Sequence, residues 1–266
     1  MIHVLTVHWQ SDQWIDIQLE ALRRHMGRPY RVYAFLNGID ITLQREKFFY
    51  CSDEDIKSHA VKLNLLADMA CMAAEGPDDW LVFLDGDAFP IGDVAEFAEA
   101  HLQTHPLLAV RRDEHMGDQQ PHPCFCVTTT GFWRRIRGDW KRGYQWKTRD
   151  GDLVTDVGGN LLGRLVENGC EWYPLTRSNA VNLHPLMFGI YGNIVYHHGA
   201  GFRTPISRMD KIHLFKGIRL FQKLSYFANK GSMDRLREKN VKLSQAIFEE
   251  IRKDPFFYRQ FLQAAH

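Results

Sequence analysis

The feature that most limits what this chain can fold into is an apolar run that stops on two carboxylates. Residues 80–84 read Trp-Leu-Val-Phe-Leu, and Asp85-Gly86-Asp87 follows at once. A continuous apolar run of that kind suits a strand buried on both faces, as in a parallel sheet covered by helices on each side. In open sheets of this class ligands bind beyond the carboxyl ends of the strands. The run therefore predicts an architecture and sets the two aspartates where a ligand would sit.

The flanking periodicity agrees. Residues 2–8 form a β-rich run. Ser11 can then cap a helix carrying Ile15, Leu19, Leu22 and Met26 at helical spacing, which Gly27 and Pro29 stop. A second strand is predicted at 30–36. A second helix follows, capped by Ser58, with Leu63, Leu66, Ala67, Ala70 and Ala74 on one side. After the Asp-Gly-Asp turn, Asp93 opens a third helix, and further strands are predicted at 107–111 and 123–128. A helix over 157–168 and a short strand around Trp172 complete the pattern. Strand and helix in this order predict an α/β fold with a mostly parallel central sheet flanked by helices on both faces. Residues 1–205 read as one catalytic domain and 206–266 as a C-terminal helical appendage packed on it.

Composition narrows the function classes. A net charge of +1 gives no dense basic footprint, so nucleic acid is not the expected partner. Five Cys without paired Cys-x-x-Cys motifs indicate reduced thiols, with Cys124 and Cys126 on one face of a strand. No apolar run reaches the roughly 18 residues a spanning helix needs, and the N-terminus lacks a basic leader, so a cytoplasmic protein is expected. Residues 211–230 hold five Lys or Arg and no acid in an amphipathic pattern. That segment suits a packed helix or a peripheral contact with anionic lipid at the inner face of the membrane.

Asp85 and Asp87 would lie about 6.5 to 7 Å apart in a regular strand. Loosening at Gly86 aims both at one hard cation, Mg²⁺ or Mn²⁺, and lets a diphosphate approach the backbone. A cation there offsets charge developing on a departing nucleoside diphosphate.

With this motif the chain resembles glycosyltransferases of the GT-A fold, whose signature is an Asp-x-Asp after a central apolar strand; the resemblance covers residues 2–203. It implies that Asp85 and Asp87 bind the metal and the donor diphosphate or ribose, beside the backbone space that Gly86 leaves for the diphosphate. The segment TDVGGNLL resembles the acidic segment of retaining members. Asp156 and Asn160 would then line the sugar, with Asp156 holding donor hydroxyls or, in an inverting enzyme, taking the acceptor proton. YHHGAGFR resembles the His-containing loop that completes the metal site in several such families. Adjacent strand residues face opposite ways, so either His197 or His198 is the third ligand. His198 is chosen, with Arg203 on the phosphates. His8 and Trp9, ending the first strand, are placed at the nucleotide base, and Lys62 at the diphosphate. Trp133, Trp140 and Trp146 suit either acceptor-side platforms or core packing.

The implied activity is a metal-dependent glycosyltransferase, of the hexosyltransferase class, taking a nucleotide-diphosphate sugar, a UDP-sugar by preference, to a hydroxyl acceptor such as a glycan or lipid-linked glycan. Its rivals are a haloacid-dehalogenase-like phosphatase, a nucleotidyltransferase and a non-catalytic sugar-nucleotide-binding scaffold.

Overall fold

A computed structural model describes residues 1–115, 117–200 and 230–262. Its centre is a seven-stranded sheet of order β10-β6-β7-β4-β1-β2-β3. The strands are β1 (Ile2–Trp9), β2 (Tyr30–Asn37), β3 (Tyr50–Ser52), β4 (Trp80–Asp85), β6 (Leu107–Val110), β7 (His122–Thr129) and β10 (Tyr173–Leu175). β1 pairs in parallel with β2 and β4, β2 with β3, and β6 with β10; β7 runs antiparallel to both β4 and β6. The sheet is therefore mostly parallel, and the carboxyl ends of β1, β2, β4 and β6 open on one side. That is the α/β architecture the sequence predicts.

Alternation along β1 and β4 feeds two separate cores. Val4, Val82 and Leu84 pack under α1 (Ile15–His25) and α3 (Val94–Leu102) through Ile15, Leu22, Val94 and Ala98. Leu5, Leu81 and Phe83 pack on the opposite face with α2 (His59–Ala73), α4 (Thr130–Ile136) and α5 (Gly159–Glu167). Each fully buried aliphatic or aromatic side chain of this kind contributes about 1.5–3 kcal/mol of burial free energy. Helices on both faces are thus demanded by strands that are apolar on both faces.

The helix starts follow local chemistry. Ser58 Oγ accepts from the Val61 amide at 3.4 Å, and an Asp93 carboxylate oxygen accepts from the Glu96 amide at 2.9 Å. The expected Ser11 cap does not form. α1 begins only at Ile15, without a side-chain cap, because residues 12–14 make a turn closed by Ile15 N to Asp12 O. That turn lets Trp14 bury its indole in a third core. Gly27, at φ +69°, ends the segment, and a Cβ there would lie 2.7 Å from Asp93 Oδ1.

A small antiparallel sheet of order β11-β12-β5 continues past the Asp-Gly-Asp turn, from β5 (Ala88–Pro90), β11 (Gly189–Tyr191) and β12 (Val195–His197). The third core lies behind it. Phe89, Ile190 and Tyr196 meet Ile247 and Ile251 of α6 (Lys230–Lys253) and Phe261 of α7 (Arg259–Leu262). A two-stranded hairpin, β8 (Trp146–Lys147) and β9 (Leu153–Val154), precedes α5. Trp133, Trp140 and Trp146 are buried. They are packing residues, so of the two roles open to them in sequence the acceptor platform is set aside. No helix among the described residues is long and apolar enough to cross a membrane.

Candidate active site

The site is assembled by two strands that meet beyond the end of β4. β5 pairs with β12 so that Ala88 faces His197 and Phe89 faces Tyr196. This register carries the His197 side chain to the Asp-Gly-Asp turn. His197 Nε2 lies 3.4 Å from Asp87 Oδ1 and 3.8 Å from Asp85 Oδ2, and one ligand atom from each of the three residues falls within 4.8 Å of the others.

The turn is held from below. Gln18 on α1 donates its Nε2 to the carbonyls of Asp85 (2.9 Å) and Ala88 (2.7 Å). Its Oε1 must then accept, so His8 Nε2, 3.2 Å away, carries the proton. Burial lowers the His8 pKa to about 4, which keeps the ring neutral. Asp87 Oδ2 accepts from the Gly199 and Ala200 amides at 3.0 and 3.3 Å, and its carbonyl accepts from the His198 amide. The amides fix Asp87 by one oxygen and aim the other at His197.

The donor set fits a divalent cation. Two carboxylates and an imidazole suit Mg²⁺ or Mn²⁺. Asp85 Oδ1 is buried without a hydrogen-bond partner, with His59 Nε2 at 3.3 Å, an imidazole whose pKa burial lowers. Burial by itself lowers the His197 pKa. The Cys124 sulfur and the Asp87 carboxylate beside the ring outweigh that effect and raise it well above 6.5. A cation bound there would compete with a proton for this imidazole.

In front of the turn opens a cleft of about 810 Å³. Asp85, Gly86, Asp87, Trp9 and Lys62 line it, as the sequence expects for donor-binding groups. Trp9 is 48% exposed and offers a free face. Lys62 is buried, its Nζ donating to Asn37 Oδ1 at 2.6 Å, and burial lowers its pKa.

Four expectations are placed elsewhere. His198 faces the third core, between Tyr196 OH (3.0 Å) and Ser244 Oγ (2.8 Å), with Trp14 and Phe188 against its ring. Strand alternation puts it on the Tyr196 side, so His197 takes the metal-facing position expected of His198. His8 lies beneath the turn through Gln18 and is not among the residues lining the cleft. Asp156 is paired with Arg142 at 3.1 Å and lies 3.9 Å from Arg112. Asn160 donates to Asp139 at 2.8 Å, and neither residue lines the cleft. Arg203 and the basic stretch 211–229 lie outside the described residues.

Several lining residues carry no motif signal in the sequence: His59, Arg112, Glu114 and His122. His59 was findable, since the first residue after a cap on a helix leading into β4 points toward the strand ends. His122 Nδ1 accepts from the Cys124 amide at 3.1 Å, which leaves Nε2 as the protonated nitrogen. Burial and the neighbouring Arg112 push its pKa well below 6.5, so it is a neutral donor.

No protein-family model matches the chain, and neither does any curated protein. Among solved structures it is similar to S. aureus TarS 1–349, at 15% identity and TM-score 0.39 over 53% of this chain and 50% of that one. It is also similar to the mannosyltransferase PcManGT from Pyrobaculum calidifontis in complex with GDP-Man and Mn²⁺, at 14% identity and TM-score 0.38 over 53% and 47%. A third is the galactosyltransferase LgtC in complex with donor and acceptor sugar analogs, at 10% identity and TM-score 0.38 over 61% and 70%. The chain spans about half the length of the first two. Likenesses this distant leave the function to the side chains themselves.

Proposed function

We propose that the chain is a divalent-metal-dependent glycosyltransferase that binds a nucleoside-diphosphate sugar at the Asp85-Gly86-Asp87 turn and passes the sugar to a hydroxyl acceptor. The observation that carries this reading is the convergence of Asp85, Asp87 and His197 at the carboxyl end of the central strand, at the mouth of the cleft. Asp85 and Asp87, with Lys62 lining the same cleft, suit a cation and a polyanion bound together. A cation there would neutralise the diphosphate as the nucleoside diphosphate departs.

The chain's own residues supply the rest. Asp87, fixed by two backbone amides, holds its second oxygen in place without reorganisation. Lys62 reaches the cleft with a partly desolvated ammonium suited to a phosphate oxygen. The exposed face of Trp9 suits stacking on a nucleobase. His122 presents an N–H to whatever occupies the cleft beside His197. A hexosyl donor, a UDP-sugar in particular, and a glycan acceptor are the fitting partners.

The test is release of nucleoside diphosphate from UDP-glucose, UDP-galactose, UDP-N-acetylglucosamine and GDP-mannose, with Mn²⁺ or with EDTA. Metal-dependent release from one of them, lost in Asp85→Ala, is the expected result. Hydrolysis of p-nitrophenyl phosphate with no release from any sugar nucleotide would favour the phosphatase reading.

A further inference from the structure

On the far side of the cleft from Lys62 and Trp9, two charged residues each keep one buried polar atom unpaired. β6 runs parallel to β4, so the chain leaving Val110 emerges at the same end of the sheet as the Asp-Gly-Asp turn, and Arg112 and Glu114 both line the cleft. Arg112 is 17% exposed; its Nη2 pairs with Asp118 at 3.0 Å and lies 3.9 Å from Asp156, while its Nε is buried without a partner. Glu114 is 16% exposed. Its Oε1 accepts from Tyr191 OH at 2.5 Å and lies 4.0 Å from Arg177, while its Oε2 is buried without a partner.

Buried polar atoms are seldom left unpaired in folded proteins, and those that are call for an explanation. Here the two are of opposite sense, one N–H donor and one carboxylate acceptor, two residues apart on the wall of one cleft. Both side chains are anchored at their other ends, Arg112 by Asp118 and Glu114 by Tyr191 on β11, so neither swings away to satisfy itself in solvent. The charges select the ligand. Glu114 repels a phosphate and Arg112 repels a cation, so the pair suits a neutral group offering both donor and acceptor. Neighbouring sugar hydroxyls do so, since each hydroxyl donates one hydrogen bond and accepts others.

Resting on the donor-site reading above, we propose that Arg112 and Glu114 hold hydroxyls of the sugar carried by the donor, with Glu114 Oε2 accepting and Arg112 Nε donating. The diphosphate then lies toward the Asp85-Gly86-Asp87 turn and the sugar toward the end of β6. Asp156, the carboxylate singled out for the sugar by the sequence, acts behind this pair by keeping Arg112 in position.

Thermal-shift titrations in Mn²⁺ separate the two parts of the ligand. The probes are UDP, GDP, UDP-glucose, UDP-galactose, UDP-N-acetylglucosamine and GDP-mannose, applied to wild type, Glu114→Gln and Arg112→Lys. The added affinity of the preferred diphosphate sugar over its nucleoside diphosphate falls about 10-fold or more in both variants, because a hydroxyl loses its charged partner. Affinity for the nucleoside diphosphate alone stays within about twofold, which shows that the variants are folded. Arg112→Lys, which keeps the charge toward Asp118, gives the same split where Glu114→Gln fails to fold. An undiminished sugar increment in the folded variants overturns the proposal while leaving the donor site standing. No shift with any nucleotide in the wild type overturns both.

Discussion

Asp87 and Asp156 are both aspartates that the sequence marks out, and the fold treats them in opposite ways. Asp87 is buried, receives two backbone amides on one oxygen and faces His197 with the other. Asp156 is 36% exposed and is already paired with Arg142. Backbone amides hold a carboxylate in place while leaving its formal charge available to a cation. An arginine neutralises the charge and leaves little for a ligand. Position on a motif therefore matters less than what has already been spent on the charge.

The comparison breaks first at Asp87. Asp87→Asn should lower sugar-nucleotide turnover by at least about 100-fold, measured as kcat, while circular dichroism shows the fold retained. Asp156→Asn in the same assay should change kcat less than about threefold, in keeping with a half-exposed ion pair worth about 0–1 kcal/mol. A large loss at Asp156 together with a small one at Asp87 would reverse the reading.

The adjacent histidines sharpen it. His197→Ala should weaken Mn²⁺ binding about 10-fold or more in calorimetry with little change in Tm. His198→Ala should leave Mn²⁺ affinity nearly unchanged. It should instead cost about 1–3 kcal/mol of stability in urea titrations, because Tyr196 OH and Ser244 Oγ lose a buried partner.

Acid gives a related contrast. Burial depresses His8 and His198 to about 4. An unfolded histidine titrates near 6.5, so between these values the unfolded chain binds more protons. The stability these rings contribute is complete above about pH 6.5 and is lost as pH falls toward 4. At pH 5 the loss is on the order of 2 kcal/mol for each ring, read as a drop in the urea midpoint. His8→Gln should flatten part of that slope.

Much of this was legible in the sequence because it is local. The apolar run into Asp85 fixes a buried central strand; Ser58 and Asp93 announce their helices through caps three residues long. The Asp-Gly-Asp turn needs only its own strand to be placed. The remainder depends on register between distant segments. Whether His197 or His198 meets the carboxylates is decided by β12 pairing with β5 more than 100 residues earlier and by Tyr196 turning toward α6 and α7. The same parity hides His8 and exposes Trp9 at the end of β1. Arg112 and Glu114 follow a strand in irregular chain, where no periodicity shows which side chains return to the cleft. The tryptophans in and after α4 can be read as ligand platforms in sequence but are packing residues, Trp133 and Trp140 against Phe83.

The most direct test is electron paramagnetic resonance of Mn²⁺ titrated into wild type, Asp87→Asn, His197→Ala and His198→Ala. A single bound-manganese signal in wild type, retained in His198→Ala and lost or strongly weakened in the other two, is what a site built from Asp85, Asp87 and His197 predicts. A signal that survives in Asp87→Asn and His197→Ala, or that vanishes only in His198→Ala, contradicts it.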